Sequence, residues 1–248
     1  MATTLTLQQI IDQTRQRADF VNSQFVTDAE LTNYINQSYF ELYDLLVSKY
    51  DNDYFVAPPL QFQTNGQDQF YPLPDGVLYN GAPALLKLLG VDLCISPTQN
   101  DSWITIRQFN WVDRNRYAVP NFQSFYGVTN LRYRVKANDL WLTPIPAGGQ
   151  TMQLWYIPRL EPLVSPTDTA DGISGWIEYV IVDAAIKMKD KEESDTSVML
   201  AEKAALIKRI EYAAENRDSS FPATVGDTQY NDFWWPTGSG NGDGSGAF

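Results

Sequence analysis

The chain of 248 residues contains no histidine, which leaves its 30 aspartates and glutamates as the most numerous groups for acid–base chemistry. Histidine is the commonest general base, the commonest ligand for transition metals and the usual partner of a serine or cysteine nucleophile. Two carboxylates alone suffice for glycoside hydrolysis, and Asp51 with Asp53, or Glu192 with Glu193, offer such pairs. Their flanks read as exposed turns, so solvated charge is the simpler account. The lone Cys94 excludes an intrachain disulfide and a thiolate cluster, and its neighbours Val91, Leu93 and Ile95 predict a buried core thiol. Asn241, Asp243 and Ser245 alternate with glycine as in a calcium loop but lack the closing bidentate acid. Gly148 and Gly149 join two strand-like segments instead of leading into a helix with a following lysine, so they predict a turn and not a phosphate cradle. No catalytic residue, metal site or cofactor is expected.

Residues suited to contact are more prominent. Phe221, Tyr230, Phe233, Trp234 and Trp235 stand in a stretch without periodicity, followed from Thr237 by a glycine- and serine-rich run. Large aromatics suit partner pockets better than a solvated tail, so residues 217–248 are expected to form an extended arm carrying anchors for a partner or a neighbouring subunit. An arm folded back on its own core is the alternative. Arg107, Arg114, Arg116, Arg132 and Arg134, interleaved with Trp111, Tyr117 and Tyr133, form the one local concentration of cations. They suit either an acidic neighbouring subunit or intramolecular pairing. The formal charge of −12 argues against tight sequence-independent binding of nucleic acid, which depends on Lys and Arg displacing counterions. No apolar run reaches the length of a membrane span, and residues 1–9 lack the form of a secretory signal, so residence or assembly in the cytoplasm is expected.

These residues need elements to hold them. Thr6 with Gln9, and Thr27 with Glu30, have the form of capping boxes and predict two helix starts. Leu7, Ile10, Ile11 and Thr14 line the first helix; Leu31, Tyr34, Ile35, Ser38, Tyr39, Leu42, Leu45 and Leu46 line the second, which runs to about Lys49. From Tyr54 the pattern shifts to short apolar runs split by Pro, Gly, Asn and Asp, predicting strands at 60–63, 69–72, 84–95, 102–106, 131–135, 139–143 and 152–157. Asn65-Gly66 predicts a hairpin between the first two, and the turn at Ala137 and Asn138 another, with asparagine accepting a positive φ. A short helix is expected within 108–117. After a linker with Pro162, Pro166 and Gly172, a nearly all-round apolar helix spans about 176–191. A last one starts near Ser194 or Asp195 and ends near Asn216, with Val198, Met199, Ala201, Ala205, Leu206, Ile210 and Ala213 inward. Helix pairs at both ends of a strand-rich middle predict an α+β fold, a helical bundle with an inserted β domain. The expected divisions are 1–53, 54–158, 159–216 and the arm 217–248.

Residues 7–19 (LQQIIDQTRQRAD), 22–25 (NSQF) and 26–46 (VTDAELTNYINQSYFELYDLL) together resemble the opening of head-to-tail adaptor proteins of tailed bacteriophages. Residues 86–92 (LKLLGVD), 109–115 (FNWVDRN) and 176–185 (WIEYVIVDAA) extend the resemblance to about residue 216. It implies a helical bundle with an inserted β domain and a homo-oligomeric ring of about twelve subunits on the portal protein. It further implies a downstream tail or nozzle protein as second partner, a place in the virion neck, and DNA passing through the channel without specific binding. A negative lumen would let DNA slide. In some such adaptors a C-terminal extension holds the portal, a role the aromatic arm would fit. The competing function is a carbohydrate-binding module of a phage or cell-surface appendage, expected to keep its aromatics on the β part.

Overall fold

Helix formation begins where a hydroxyl meets the first orphan backbone N–H groups. Thr6 Oγ1 accepts from Gln9 N at 3.3 Å while Gln9 Oε1 accepts from Thr6 N at 3.0 Å, so both halves of the expected box are made. In the computed structural model, which describes residues 4–21, 23, 25–50, 55–96, 102–117, 131–170 and 175–215, this box follows a two-residue strand β1 (Leu5–Thr6) and opens α1 (Leu7–Ala18). Asp19, left-handed at φ 64°, ends it. At α2 (Asp28–Lys49) only half of the second box forms. Thr27 accepts from Glu30 N, but the Glu30 carboxylate turns away to Tyr34 and Lys191, because the cation across the bundle offers a charge-assisted partner.

The strand-rich middle contains β2 (Leu60–Gln63), β3 (Phe70–Pro72), a single helical turn α3 (Leu78–Gly81), β4 (Leu85–Ser96), β5 (Ser102–Thr105) and β6 (Arg107–Gln108). The short helix expected near 108–117 is a 3-10 turn at Trp111–Asp113 running into α4 (Arg114–Tyr117). Then come β7 (Arg132–Lys136), β8 (Asp139–Thr143) and β9 (Thr151–Pro158). One sheet has the order β2-β9-β4-β5, and a second has the order β3-β8-β7-β6. Val91, Leu93, Met152, Leu154 and Tyr156 of the first sheet share a core with Tyr71, Tyr133, Leu140 and Leu142 of the second. All are inward positions of period-two alternation.

Two turn expectations are corrected. Asn65-Gly66 does not join a hairpin: β2 pairs with β9 and β3 with β8, so the turn carries the chain from one sheet to the other. Glycine is needed there because φ is 77° and a Cβ would stand 2.7 Å from Gly148 N. The β7–β8 hairpin does form, with Lys136 opposite Asp139, but the positive φ of 53° falls on Ala137 and not on Asn138. Gly148 and Gly149 form a turn, as expected. Cys94 is half-buried and not in the core: Val91 and Leu93 point inward, and Cys94 shares the other face of β4 with Asp92.

A second two-residue strand, β10 (Thr169–Ala170), pairs antiparallel with β1 and fastens the linker to the start of α1. Leu7 N and Gln8 N, left unpaired by the helix itself, donate to Asp168 O and Pro166 O at 2.8 and 3.1 Å. From α2, Asn36 grips the same linker through both backbone atoms of Leu163, at 2.9 and 2.8 Å. The chain then enters α5 (Ile177–Lys191) and α6 (Ser197–Glu215). Buried positions such as Val180, Val182, Ala184, Ala185 and Met188 leave α5 covered almost all round by α1, α2 and α6. The helices enclose a core separate from that of the sheets, giving an α+β architecture. The two meet where Tyr43 Oη donates to Pro158 O at 2.7 Å and its ring packs edge-on against Phe55 at 4.8 Å. Burial pushes the Tyr43 phenol up to about 12.

On α6, Leu206 and Ile210 are buried, with Met199 and Ala213 packed against the same core. Val198, Ala201 and Ala205 face outward instead, Val198 being 78% exposed. α6 packs against α5 and α2 on one side only, so just one stripe of it is turned toward the bundle.

Candidate assembly surfaces

The outer face of β3-β8-β7-β6 gathers cations and aromatic rings. Because Tyr133 points into the core, its neighbours Arg132, Arg134 and, one step further, Lys136 point outward. Cross-strand register sets Trp141 opposite Arg134, Phe70 opposite Trp141, and Arg107 opposite Arg132. The 3-10 turn then folds Trp111 over the same face. Trp141 is the hub: Phe70 stacks on it at 5.7 Å, Phe109 meets it edge-on at 5.1 Å and Trp111 at 5.4 Å.

Cations lie over these rings. Arg114 and Arg134 stand 5.4 and 5.6 Å from the Trp111 ring centre, and Lys136 stands 5.2 Å from that of Phe70 and 5.7 Å from that of Trp141. Arg114 also donates to Trp111 O, and Arg134 to Phe109 O. Among the described residues, no carboxylate lies within ion-pair distance of Arg107, Arg114, Arg134 or Lys136. The Arg114 and Arg134 guanidinium groups are thus positioned by rings and carbonyls, leaving charge that a partner can neutralise. Trp141 Nε1 is buried without an acceptor among the described residues. Trp111 and Phe70 remain 45% and 42% exposed.

Four of the five expected arginines are therefore brought to one region, while the side chain of Arg116 lies outside the described residues. Lys136, Phe70 and Trp141 belong to the cluster and were not expected. The period-two series Arg132, Arg134, Lys136 on a strand was the available signal for the lysine; the rings come from distant segments and left none. The expected arm anchors Phe221, Tyr230, Phe233, Trp234 and Trp235 all lie outside the described residues, as do Asp51 and Asp53. Glu192 and Glu193 sit in the exposed turn that ends α5.

A second exposed surface is the outer stripe of α6, where Val198, Ala201, Ala205 and Tyr212 recur at steps of one helical turn or two. Tyr212 is 70% exposed.

One polar network lies inside the bundle. The Asp183 side chain, 4% exposed, receives Lys203 Nζ at 2.6 Å, Lys187 Nζ at 2.8 Å and the Ser38 hydroxyl at 2.6 Å. Burial opposes its charge, but the hydrogen bonds from Lys187, Lys203 and Ser38 outweigh burial and hold the carboxyl below its usual range. Every oxygen is engaged by a cation or hydroxyl, so the network fastens α2, α5 and α6 and has no acid or base to spare. Among the described residues, no group of three or more Asp, Glu or Cys side chains is placed to hold a metal ion, and no helix is long and apolar enough to cross a membrane.

Against known families, the model described as SU10 adaptor protein matches residues 5–226. A search of curated proteins finds no significant match.

Proposed function

The chain belongs to the SU10 adaptor family, structural adaptors of phages, and from that premise we propose that it is the head-to-tail adaptor of a tailed phage. Its copies form a ring of about twelve subunits that docks on the portal protein and extends the DNA channel toward a downstream tail or nozzle protein. It works in the virion neck after assembly in the host cytoplasm. The observation that carries this reading is the family match over nearly the whole chain, including both helix pairs and the β part between them. The family is structural and not a known class of enzyme.

Two exposed features support a role in contact: the cation-ring face of the second sheet and the apolar outer stripe of α6. Both are surfaces that a ring would cover. Phe221, Tyr230, Phe233, Trp234 and Trp235 are the proposed contacts to the portal or to a neighbouring subunit, and Arg107, Arg114, Arg116, Arg132 and Arg134 form the proposed inter-subunit patch. The division into 1–53, 54–158, 159–216 and 217–248 is proposed on the two separate cores and the composition of the last segment. DNA passes the acidic ring without specific binding.

The carbohydrate-binding alternative gains a ring cluster on the β part but loses the open ring faces it needs. Arg114, Arg134 and Lys136 already lie over Trp111, Phe70 and Trp141, where a sugar would stack. The deciding experiment mixes the purified chain with the portal ring of its own virus and measures mass by native mass spectrometry. A ring of many copies on the portal is expected. A chain that leaves the portal mass unchanged refutes the adaptor reading; a free chain that is monomeric does not, because the portal can template the ring.

A further inference from the structure

Charge is divided unevenly along the sequence. Residues 54–158 hold seven Lys and Arg against six Asp and Glu, whereas the remainder holds eleven against twenty-four. The one region without a negative balance is thus the strand-rich part, and five of its seven cations, Arg107, Arg114, Arg132, Arg134 and Lys136, gather on the outer face of β3-β8-β7-β6. Residues 217–248 have the opposite character: Asp218, Asp227, Asp232 and Asp243 against Arg217 alone, with Phe221, Tyr230, Phe233, Trp234 and Trp235 among them.

We propose that the acidic, aromatic segment 217–236 of one copy docks on the cation-ring face of a neighbouring copy, with its aspartates on Arg107, Arg114, Arg134 and Lys136 and its rings against Trp111 and Phe70. This rests on the assembly reading in needing a neighbouring copy, and it names the neighbour, rather than the portal, as the partner of that segment. Three observations converge. The face carries cations with no described carboxylate in reach. It exposes Trp111 and Phe70, which in water are a cost that a partner's ring removes. The segment supplies both complements in alternation: carboxylates for guanidinium groups fixed over rings, and indoles and phenyls for the exposed ring edges. Asp227 lies nine positions beyond Asp218 and Asp232 five beyond Asp227, so a chain of that length, reaching up to about 3.3 Å per residue, is long enough to cross several strands of the face at about 4.7–4.9 Å each.

The test keeps the chain at full length. A fluorescent peptide of residues 217–236 is titrated into the wild-type chain and into a chain carrying Asp218→Asn, Asp227→Asn and Asp232→Asn. The neutralised chain no longer competes through its own segment, so it binds the peptide several-fold more tightly than wild type does. Adding Arg134→Glu and Lys136→Glu to that chain weakens binding about ten-fold or more, as does raising salt from about 50 to about 300 mM. Circular dichroism checks that these surface changes leave the fold intact. Next, isotope-heavy and isotope-light wild-type chains are mixed at a concentration above the peptide's dissociation constant and treated with a carbodiimide. Amide links from Lys136 to Asp218, Asp227 or Asp232 that join a heavy to a light copy are expected. Absence of saturable peptide binding to the neutralised chain, indifference to Arg134→Glu with Lys136→Glu, or links confined to single copies each overturn the proposal. Failure of the chain to bind its portal would instead sink the adaptor reading and leave these results standing.

Discussion

Replacing Asp183 by asparagine removes the one buried negative charge that ties α2, α5 and α6 together, and the loss can be sized from its neighbours. Lys203 and Lys187 each make a charge-assisted hydrogen bond to it, at 2.6 and 2.8 Å, and such bonds contribute about 1.5–3 kcal/mol each. Part of that is retained, because Glu41 already stands 3.0 Å from Lys187 and 3.4 Å from Lys203, and both lysine side chains keep some contact with water. The amide also keeps a partner in Ser38. The net expectation is a destabilisation of about 3 kcal/mol, at the low end for breaking a buried pair. Glu41→Gln, at a side chain 47% exposed, should cost under about 1 kcal/mol. Urea unfolding followed by tryptophan fluorescence and circular dichroism measures both. The pH dependence has a definite sign. A carboxyl held below its usual range adds stability that is fully present above its unfolded value of about 4 and is lost as pH falls through the lower folded value. The gap between wild type and Asp183→Asn should therefore be constant from about pH 5 to 8 and shrink below about pH 4. A cost for Asp183→Asn below about 1 kcal/mol, or equal to that of Glu41→Gln, would show that the network does not fasten the three helices.

Other perturbations separate backbone from packing. Gly66→Ala should cost about 2–4 kcal/mol by chemical denaturation, since a positive φ is compounded by backbone atoms of Gly148 in the way. Gly81→Ala, with the same sign of φ and open space around it, should cost only about 1 kcal/mol. Ala137→Gly relieves a left-handed alanine in the β7–β8 turn and should raise stability by up to about 1 kcal/mol, read as a higher melting temperature. Leu154→Ala, fully buried between the sheets, should cost about 2–5 kcal/mol. Removing residues 218–248 should weaken attachment to neighbouring copies or portal while far-ultraviolet circular dichroism stays unchanged; full attachment of the shortened chain would refute the anchor role.

Local signals made the helices legible. Thr6 and Gln9 exchange both bonds of their box, and α2 ends at Lys49 as its apolar spacing implied. β8 and β2 also fall where alternation placed them, because period two is a local property of a half-buried strand. Pairing is not local, and there the sequence misled. Asn65-Gly66 has hairpin chemistry, yet the best partner for Leu60–Gln63 is Thr151–Pro158, and no property of a two-residue turn announces a change of sheet. Outward alanines and valine on α6 misled for a related reason. An apolar residue on a helix signals burial somewhere, and Val198, Ala201 and Ala205 find no core neighbour among the described residues to supply it.

That exposed stripe and the exposed ring cluster are the same kind of discrepancy. Sequence reading assumes that apolar and aromatic residues are spent on the chain's own core; in this protein the two cores are complete without Val198, Trp111 or Phe70. Among the described residues, apolar surface that water disfavours therefore stays exposed, alongside arginines that rings hold in place without a described counter-charge. A subunit that worked alone would gain stability from replacing these residues by polar ones. Their presence makes sense if burial is completed between copies. The acidic balance of the rest of the chain then keeps free copies apart until complementary faces meet, because like charge opposes every contact except one between the positive face and a negative segment. In that account the charge of −12 acts on assembly, which ties the composition of the chain to the ring cluster and the α6 stripe that its described cores leave exposed.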